Sequence, residues 1–206
     1  MGDKRIENTN LVSMRGKIEK EFRFSHDSHG ENFYTTDLVI HRRSDAEDRI
    51  PLVVSDRVMD VRQSYAGSYV SVHGLFQSRN YRDEEKVRTA LSVLARDFSV
   101  VDDEERGPQD HIYLEGFLCK KPVFRKTPGG REISELILAV NRSTGRTDYI
   151  PCISWGKTAR FASGLPVGCH LMVWGRIQSR EYSKKTEEEV KLRVTYEVSV
   201  ARLELY

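Results

Sequence analysis

An eight-residue pattern, G-x-x-Q-S-R-x-Y, occurs twice: as Gly74-Leu-Phe-Gln-Ser-Arg-Asn-Tyr81 and as Gly175-Arg-Ile-Gln-Ser-Arg-Glu-Tyr182. The two copies lie 101 positions apart. Gly16 and Gly116, Gly30 and Gly130, Arg42 and Arg142, and Ile50-Pro51 and Ile150-Pro151 lie 100 apart. One inserted residue in the second half reconciles the two spacings. A repeat of this length is a duplicated domain rather than a short-period solenoid. The expected units are 1–105 and 106–206, each of ordinary domain size and able to bury its own core. The stretch 101–110, VDDEERGPQD, is charged, carries Gly-Pro and lacks periodicity, so it reads as the linker. Residues 1–9 read as a polar leader.

The second half is the easier to read. Ile112 to Lys126 is a long strand candidate with a bend or bulge at Gly116. Thr127-Pro-Gly-Gly130 is a turn. Glu132 to Asn141 places Leu136, Leu138 and Val140 on one face. Thr147 to Trp155 is the next strand, and Pro151 in it argues for an edge or a bulge. Lys157 to Ser163 is a short helix candidate, ended by Gly164 and Pro166. Cys169 to Tyr182 is the fourth strand. Val190 to Val200 alternates over eleven residues and is the clearest strand signal in the chain. Five strands with a short helix between the third and fourth is the order of an OB-fold, a small Greek-key barrel. The first half follows the same plan, with a helix candidate at Asp56 to Ser64, a fourth strand at Tyr69 to Tyr81 and a less regular last strand. The expected class is therefore all-β, two tandem OB-folds.

Composition narrows the function. No run of ~18 apolar residues could span a membrane, and MGDKRIENTN is no apolar signal segment, so a cytoplasmic protein is expected. Cys119, Cys152 and Cys169 are odd in number and show no metal-ligand spacing. They read as free thiols in a reducing compartment, with no metal and no cofactor. Net charge divides unevenly. Residues 1–105 hold 16 Lys+Arg against 20 Asp+Glu, and residues 106–206 hold 17 against 11, giving −4 and +6. A polyanionic partner would favour the second half. Trp155-Gly-Lys-Thr158 fails as a phosphate-binding loop, because Pro151 stands at the first glycine position and offers no amide. His26-Asp-Ser-His29 sits before Gly30 and reads as turn composition better than as a metal or catalytic pair. No nucleophile–base order stands out, so no enzyme is expected.

The repeated motif offers chemistry of another kind. In a strand, Trp174, Arg176, Gln178, Arg180 and Tyr182 would share one face, and Val173 and Ile177 the other. Aromatic rings stack on bases and guanidinium groups meet phosphates, which suits a single strand of nucleic acid. The plain alternative is a solvated hairpin with snorkelling arginines.

Lys121-Pro-Val-Phe-Arg125, Thr127-Pro-Gly-Gly130, Leu138-Ala-Val-Asn-Arg142, Asp148 to Lys157 and Gly175 to Tyr182 together resemble the bacterial single-stranded-DNA-binding protein family along the whole second half. The first half resembles the same domain worn down. The resemblance implies sequence-independent binding of single-stranded DNA in replication, recombination or repair, two OB-folds per chain, and pairing into a homodimer with four. It places stacking sites on Tyr149, Trp155 and Tyr182. The first half offers Arg49, Ser55 and Tyr81 at those positions, so its intrinsic affinity should be orders of magnitude lower. Trp174 joins the stacking candidates, and Lys121, Arg125, Arg142, Lys157, Arg176 and Arg180 are the candidate phosphate cations. The resembled family usually ends in an acidic tail that recruits replication proteins. This chain stops at Arg202-Leu-Glu-Leu-Tyr206 in strand-like sequence, which puts a housekeeping replication role in doubt and leaves the choice between it and a specialised paralogue open. A protein-interaction module of a replication or primosome-like assembly, and an RNA-binding OB protein, stay open as alternatives.

Overall fold

The computed structural model describes residues 9–42, 44, 46–83, 86–102, 109–185 and 190–206, with side chains at all of these except 82–83, 86–88, 182–185 and 190–192. The proposed linker falls partly outside these residues, and the polar leader almost wholly so. Among these described residues, twelve strands and one helix follow in order: β1 (Asn10–Ile18), β2 (Arg23–Ser28), β3 (Glu31–His41), β4 (Glu47–Ser55), β5 (Tyr69–Asp83), β6 (Lys86–Val100), β7 (Gln109–Leu118), β8 (Val123–Lys126), β9 (Glu132–Asn141), β10 (Thr147–Trp155), α1 (Gly156–Ser163), β11 (His170–Lys185) and β12 (Val190–Leu205).

Each half closes on itself. In the first, the order is β3-β4-β6-β5-β1, and β1 returns to β3; in the second it is β9-β10-β12-β11-β7, and β7 returns to β9. The β4–β6 and β10–β12 contacts are parallel, each two residues long. Both barrels have the OB-fold strand order. β2 and β8 hairpin outward onto β3 and β9. Pro151 sits in β10 just before its contact with β12, at Cys152 and Ile153, where its missing amide costs no ladder bond.

The inward faces follow the alternation. Leu136, Leu138 and Val140 are buried on β9, as are Val12 and Met14 on β1, Ile177 on β11 and Val198 and Val200 on β12. Both repeated Gly74 and Gly175 stand at a bulge, where the register slips between His73/Gly74 and between Trp174/Gly175. A Cβ at either glycine would collide with the carbonyl of Leu94 or Ser199 on the neighbouring strand. The bulge turns the strand round the barrel, and only glycine permits so close a pass.

The barrels join through β1 and β7, which pair antiparallel from Asn10↔Leu114 to Arg15↔Gln109. Partner numbers in this ladder sum to 124, as in Val12↔Ile112. Equivalent residues of the two halves lie 100 apart. Val12 and Ile112 are therefore equivalent and face each other, and a pseudo-two-fold axis passes between them. The duplication has placed inside one chain the self-complementary interface of a dimer.

Two expectations change. The strand expected over Ile112–Lys126 breaks at 119–122 into β7 and β8, and Pro122, without an amide, lies in the gap. The helix expected at Asp56–Ser64 is a run of turns. There the Asp60 carboxylate accepts the Arg62 amide and Ser55 Oγ accepts the Arg57 amide. Such side-chain bonds compete with helical backbone bonds. In the second barrel Ala159 and Ala162 bury a helical face instead.

Candidate nucleic-acid interface

The Gln-Ser-Arg core of the repeated motif has a structural task before any binding one. Ser78 donates from its amide (2.6 Å) and hydroxyl (3.0 Å) to Asp148 of the other barrel. Ser179 does the same to Asp48, at 2.7 and 3.2 Å. Arg142 pairs with Asp148 and donates to the Ser78 carbonyl at 3.0 Å; Arg42 pairs with Asp48. Both carboxylates are fully buried. A buried charge persists when its lone pairs are filled this way. Sequence reasoning missed Asp48, Asp148, Ser78 and Ser179. The available signal was that Asp48/Asp148 and Arg42/Arg142 are both spaced by 100 residues.

On the outer face of the second barrel, β10, β12 and β11 form an open cleft of about 380 Å³. Its floor is Ile153 and Ser199, and its walls carry Trp155, Gln178 and Glu197. Four guanidinium groups line it: Arg131, Arg176, Arg180 and, from the first barrel, Arg42. Trp155 ends β10 opposite Ile133 and is 37% exposed. Gly156 then turns the chain with φ 55°, a left-handed conformation suited to glycine. The indole is thereby left on the surface as the helix begins.

The cations are held rather than loose. Arg176 spans Asp48 (3.1 Å) and Gln178 (2.9 Å). Arg180 lies 3.4 Å from Glu197, which also accepts from Gln178. Hydrogen bonding to Asp48 raises the Arg42 pKa above its usual value, so that charge is permanent. Arg131 has no ion pair among the described residues. Four guanidinium groups against two carboxylates leave the cleft cationic, with one aromatic face in it. It can stack a base and bind the adjoining phosphates.

The cleft brings together Trp155, Arg176 and Arg180 of the expected site, and adds Arg42 and Arg131. Tyr149 is exposed on the same face of β10 as Trp155, about 20 Å along the strand at ~3.3 Å per residue. Lys121 and Lys157 are exposed and have no ion pair among the described residues. Arg125 is paired with Glu135 at 2.5 Å, and Arg142 is bound to Asp148. Trp174 does not join its expected neighbours. It keeps the outward parity of β11, since the extra residue of the bulge is Ala201 on β12, but it lies outside the cleft and packs on Tyr113 (5.2 Å) with Arg202 above its ring at 4.7 Å. Tyr182 pairs with Arg193 along the backbone, and its side chain lies outside the described residues. Tyr81 is exposed on β5.

The first barrel's corresponding surface is poorer in cations. Ladder positions place Glu31, Ser55, Leu75, Gln77, Arg79 and Ser92 where the second has Arg131, Trp155, Arg176, Gln178, Arg180 and Glu197. Only Arg79 and Gln77 keep the chemistry.

Fold and cleft define a tandem OB-fold protein with one cationic, aromatic face. Residues 110–206 match the family model described as "Single-strand binding protein family". The chain is 29% identical over 155 residues to the single-stranded DNA-binding protein of Thermus thermophilus, covering 67% of this chain and 57% of that one. It is 32% identical over 102 residues to single-stranded DNA-binding protein A of Bacillus subtilis, covering 46% and 59%. The structure superposes on the wild-type single-stranded DNA-binding protein from Thermus aquaticus with a TM-score of 0.76 at 23% identity, covering 96% of this chain and 92% of that one. The chain is a tandem OB-fold protein whose second barrel matches the single-strand binding protein family. It spans less than two thirds of the length of these two curated relatives.

Proposed function

We propose that this protein binds single-stranded DNA without base preference, in replication, recombination or repair, and that the barrel of residues 106–206 supplies most of the affinity. The barrel of residues 1–105 extends the path and completes the cleft through Arg42. The observation that carries this reading is Trp155, exposed among four arginines on one barrel face. Phosphate contacts provide attraction and register, and stacking tolerates any base because every base has a π-face. The protein further pairs as a homodimer, giving four OB-folds. Support for this lies on the joined sheet away from the cleft, where Leu11, Phe117 and Tyr206 are exposed.

The test is affinity for oligo-dT, duplex DNA and RNA of equal length at two salt concentrations. Oligo-dT binds tightest, and its affinity falls with salt at a slope of roughly 0.7 per phosphate neutralised. Trp155→Ala costs about 1–3 kcal/mol, and it abolishes most of the fluorescence quenching that oligo-dT produces in the wild type. A wild type that binds no oligonucleotide at low salt overturns this function and favours a protein-interaction module.

A further inference from the structure

Cross-strand partners in an antiparallel ladder point to the same face. In the second barrel the pair at the end of the cleft is Ile133↔Trp155, with the aromatic on β10. The equivalent pair in the first barrel is Phe33↔Ser55, with the aromatic on β3. The first barrel has thus lost the tryptophan position but keeps an aromatic ring at the same place, carried by the neighbouring strand. Position-by-position comparison with the second half shows only the loss at Ser55.

The ring is not alone. His26, across the hairpin from Phe33, stacks on it with centroids 4.8 Å apart and planes 9° from parallel. Arg79 stands where the second barrel has Arg180. It donates to His26 Nδ1 at 3.3 Å and is exposed. Phe33 and His26 are both only half-buried. Burial, and secondarily the Arg79 charge, lowers the His26 pKa below its ordinary value, so the ring is a neutral π-surface near pH 7. The surrounding charges are mixed. Asp27 lies beside His26, Glu31 is 3.8 Å from Arg57, and Asp56 accepts from Asn32. Such a site can stack a base and hold one phosphate. It cannot follow a backbone as the arginine-lined cleft does.

We infer that Phe33, His26 and Arg79 form a second stacking station in the first barrel, which takes one unpaired nucleobase onto the His26–Phe33 stack and its phosphate onto Arg79. This rests on the single-strand reading of the Trp155 cleft. The station engages when one strand is long enough to reach both barrels.

The experiment measures affinity of the full chain for a short oligo-dT, sized to the Trp155 cleft, and for a long one. Phe33→Leu keeps an apolar side chain and removes the π-face. It weakens long-oligonucleotide binding roughly 5- to 150-fold, the worth of one stack, and leaves short-oligonucleotide binding unchanged. Trp155→Ala weakens both. In a Trp155→Phe, Trp174→Phe background, Phe33→Trp binds the long oligonucleotide and its emission falls on binding. The inference is overturned if Phe33→Leu binds the long oligonucleotide like the wild type, or if the tryptophan at position 33 is indifferent to it. Should those results coincide with weakening by Trp155→Ala, the station alone falls. A wild type that binds neither oligonucleotide removes the parent reading as well.

Discussion

Asn10 and Asp110 are equivalent residues, at matching places on β1 and β7. Asn10 uses both ends of its amide: Oδ1 accepts the Phe76 amide (2.9 Å) and Nδ2 donates to the Phe76 carbonyl (2.7 Å). Asp110 Oδ1 accepts the Ile177 amide at 3.0 Å, but its Oδ2 is shut from solvent with no partner among the described residues. A carboxylate has no proton to donate there, whereas a carboxylic acid has. Desolvation, with Asp48 adding to it, pushes the Asp110 pKa up to about 7 against the Ile177 amide, Arg176 and Arg42. The folded-state value lies above the unfolded one, so the stability from this group is full below the ordinary carboxylate pKa. It is lost as pH rises through about 7. Asp110→Asn reproduces the Asn10 arrangement without a titrating group. The variant should therefore be more stable than the wild type above neutrality, and its urea midpoint should change less between about pH 5 and about pH 8. Parallel pH profiles for the two proteins would show that Asp110 is solvated as an ordinary surface carboxylate.

The elements show where local sequence decides and where it does not. A Cβ on Gly175 meets the Ser199 carbonyl oxygen at the bulge, so Gly175→Ala must push β11 from β12. Overpacking of this kind costs about 1–3 kcal/mol, which denaturant unfolding would measure. Gly129→Ala, in a turn with open space around it, should cost far less. Equal costs would mean that the bulge relaxes freely. Strands β9 and β10 were legible to their end residues, because alternating apolar positions and Gly-bearing turns bounded them on both sides. The helix expected in the first half was not, because its apolar spacing matches a helix while Asp60 and Ser55 divert its amides into turns. Trp155, Arg176 and Arg180, which line the cleft, are among the residues that the sequence singles out. Arg42 is not, since it reaches the cleft across the barrel junction from a position 134 residues before Arg176. Trp174 keeps the expected parity on β11 but packs on Tyr113 and Arg202 instead of lining the cleft, a contact across strands that alternation along one strand does not specify. The His26–Phe33 stack was invisible for a related reason: it depends on which strand carries the ring, and equivalence between positions compares only one strand with its own copy.

At the scale of the molecule, duplication has produced a near-symmetric frame with unequal faces. The β1–β7 ladder and the paired Asp48/Ser179 and Asp148/Ser78 contacts obey the pseudo-two-fold axis, whereas Arg131, Trp155, Arg176 and Glu197 of the cleft have no like residue in the first barrel. Fusion frees each half to change its binding face while the junction must stay self-complementary, so asymmetry collects on the outside. The joined sheet also bears a second surface, distinct from the cleft. Leu11 and Tyr113 are direct ladder partners and share a face, which Phe117 continues along β7. His170 stacks on Phe117 at 4.5 Å and on Tyr206 at 4.3 Å, and Leu11, Phe117 and Tyr206 are 43%, 42% and 69% exposed. Aromatic residues held open to water in a patch are characteristic of an interface. If this face pairs two chains, light scattering of the wild type should give twice 23.8 kDa at micromolar concentration. Phe117→Glu would put a charge at its centre and shift the mass toward a single chain, while short oligo-dT affinity per chain holds, because His170, the ladder partner of Phe117, is six residues from Arg176 along β11, about 20 Å at ~3.3 Å per residue. A wild type of single-chain mass across that range would rule out the dimer. A variant that lost the dimer and short-oligonucleotide binding together would show that the cleft depends on assembly.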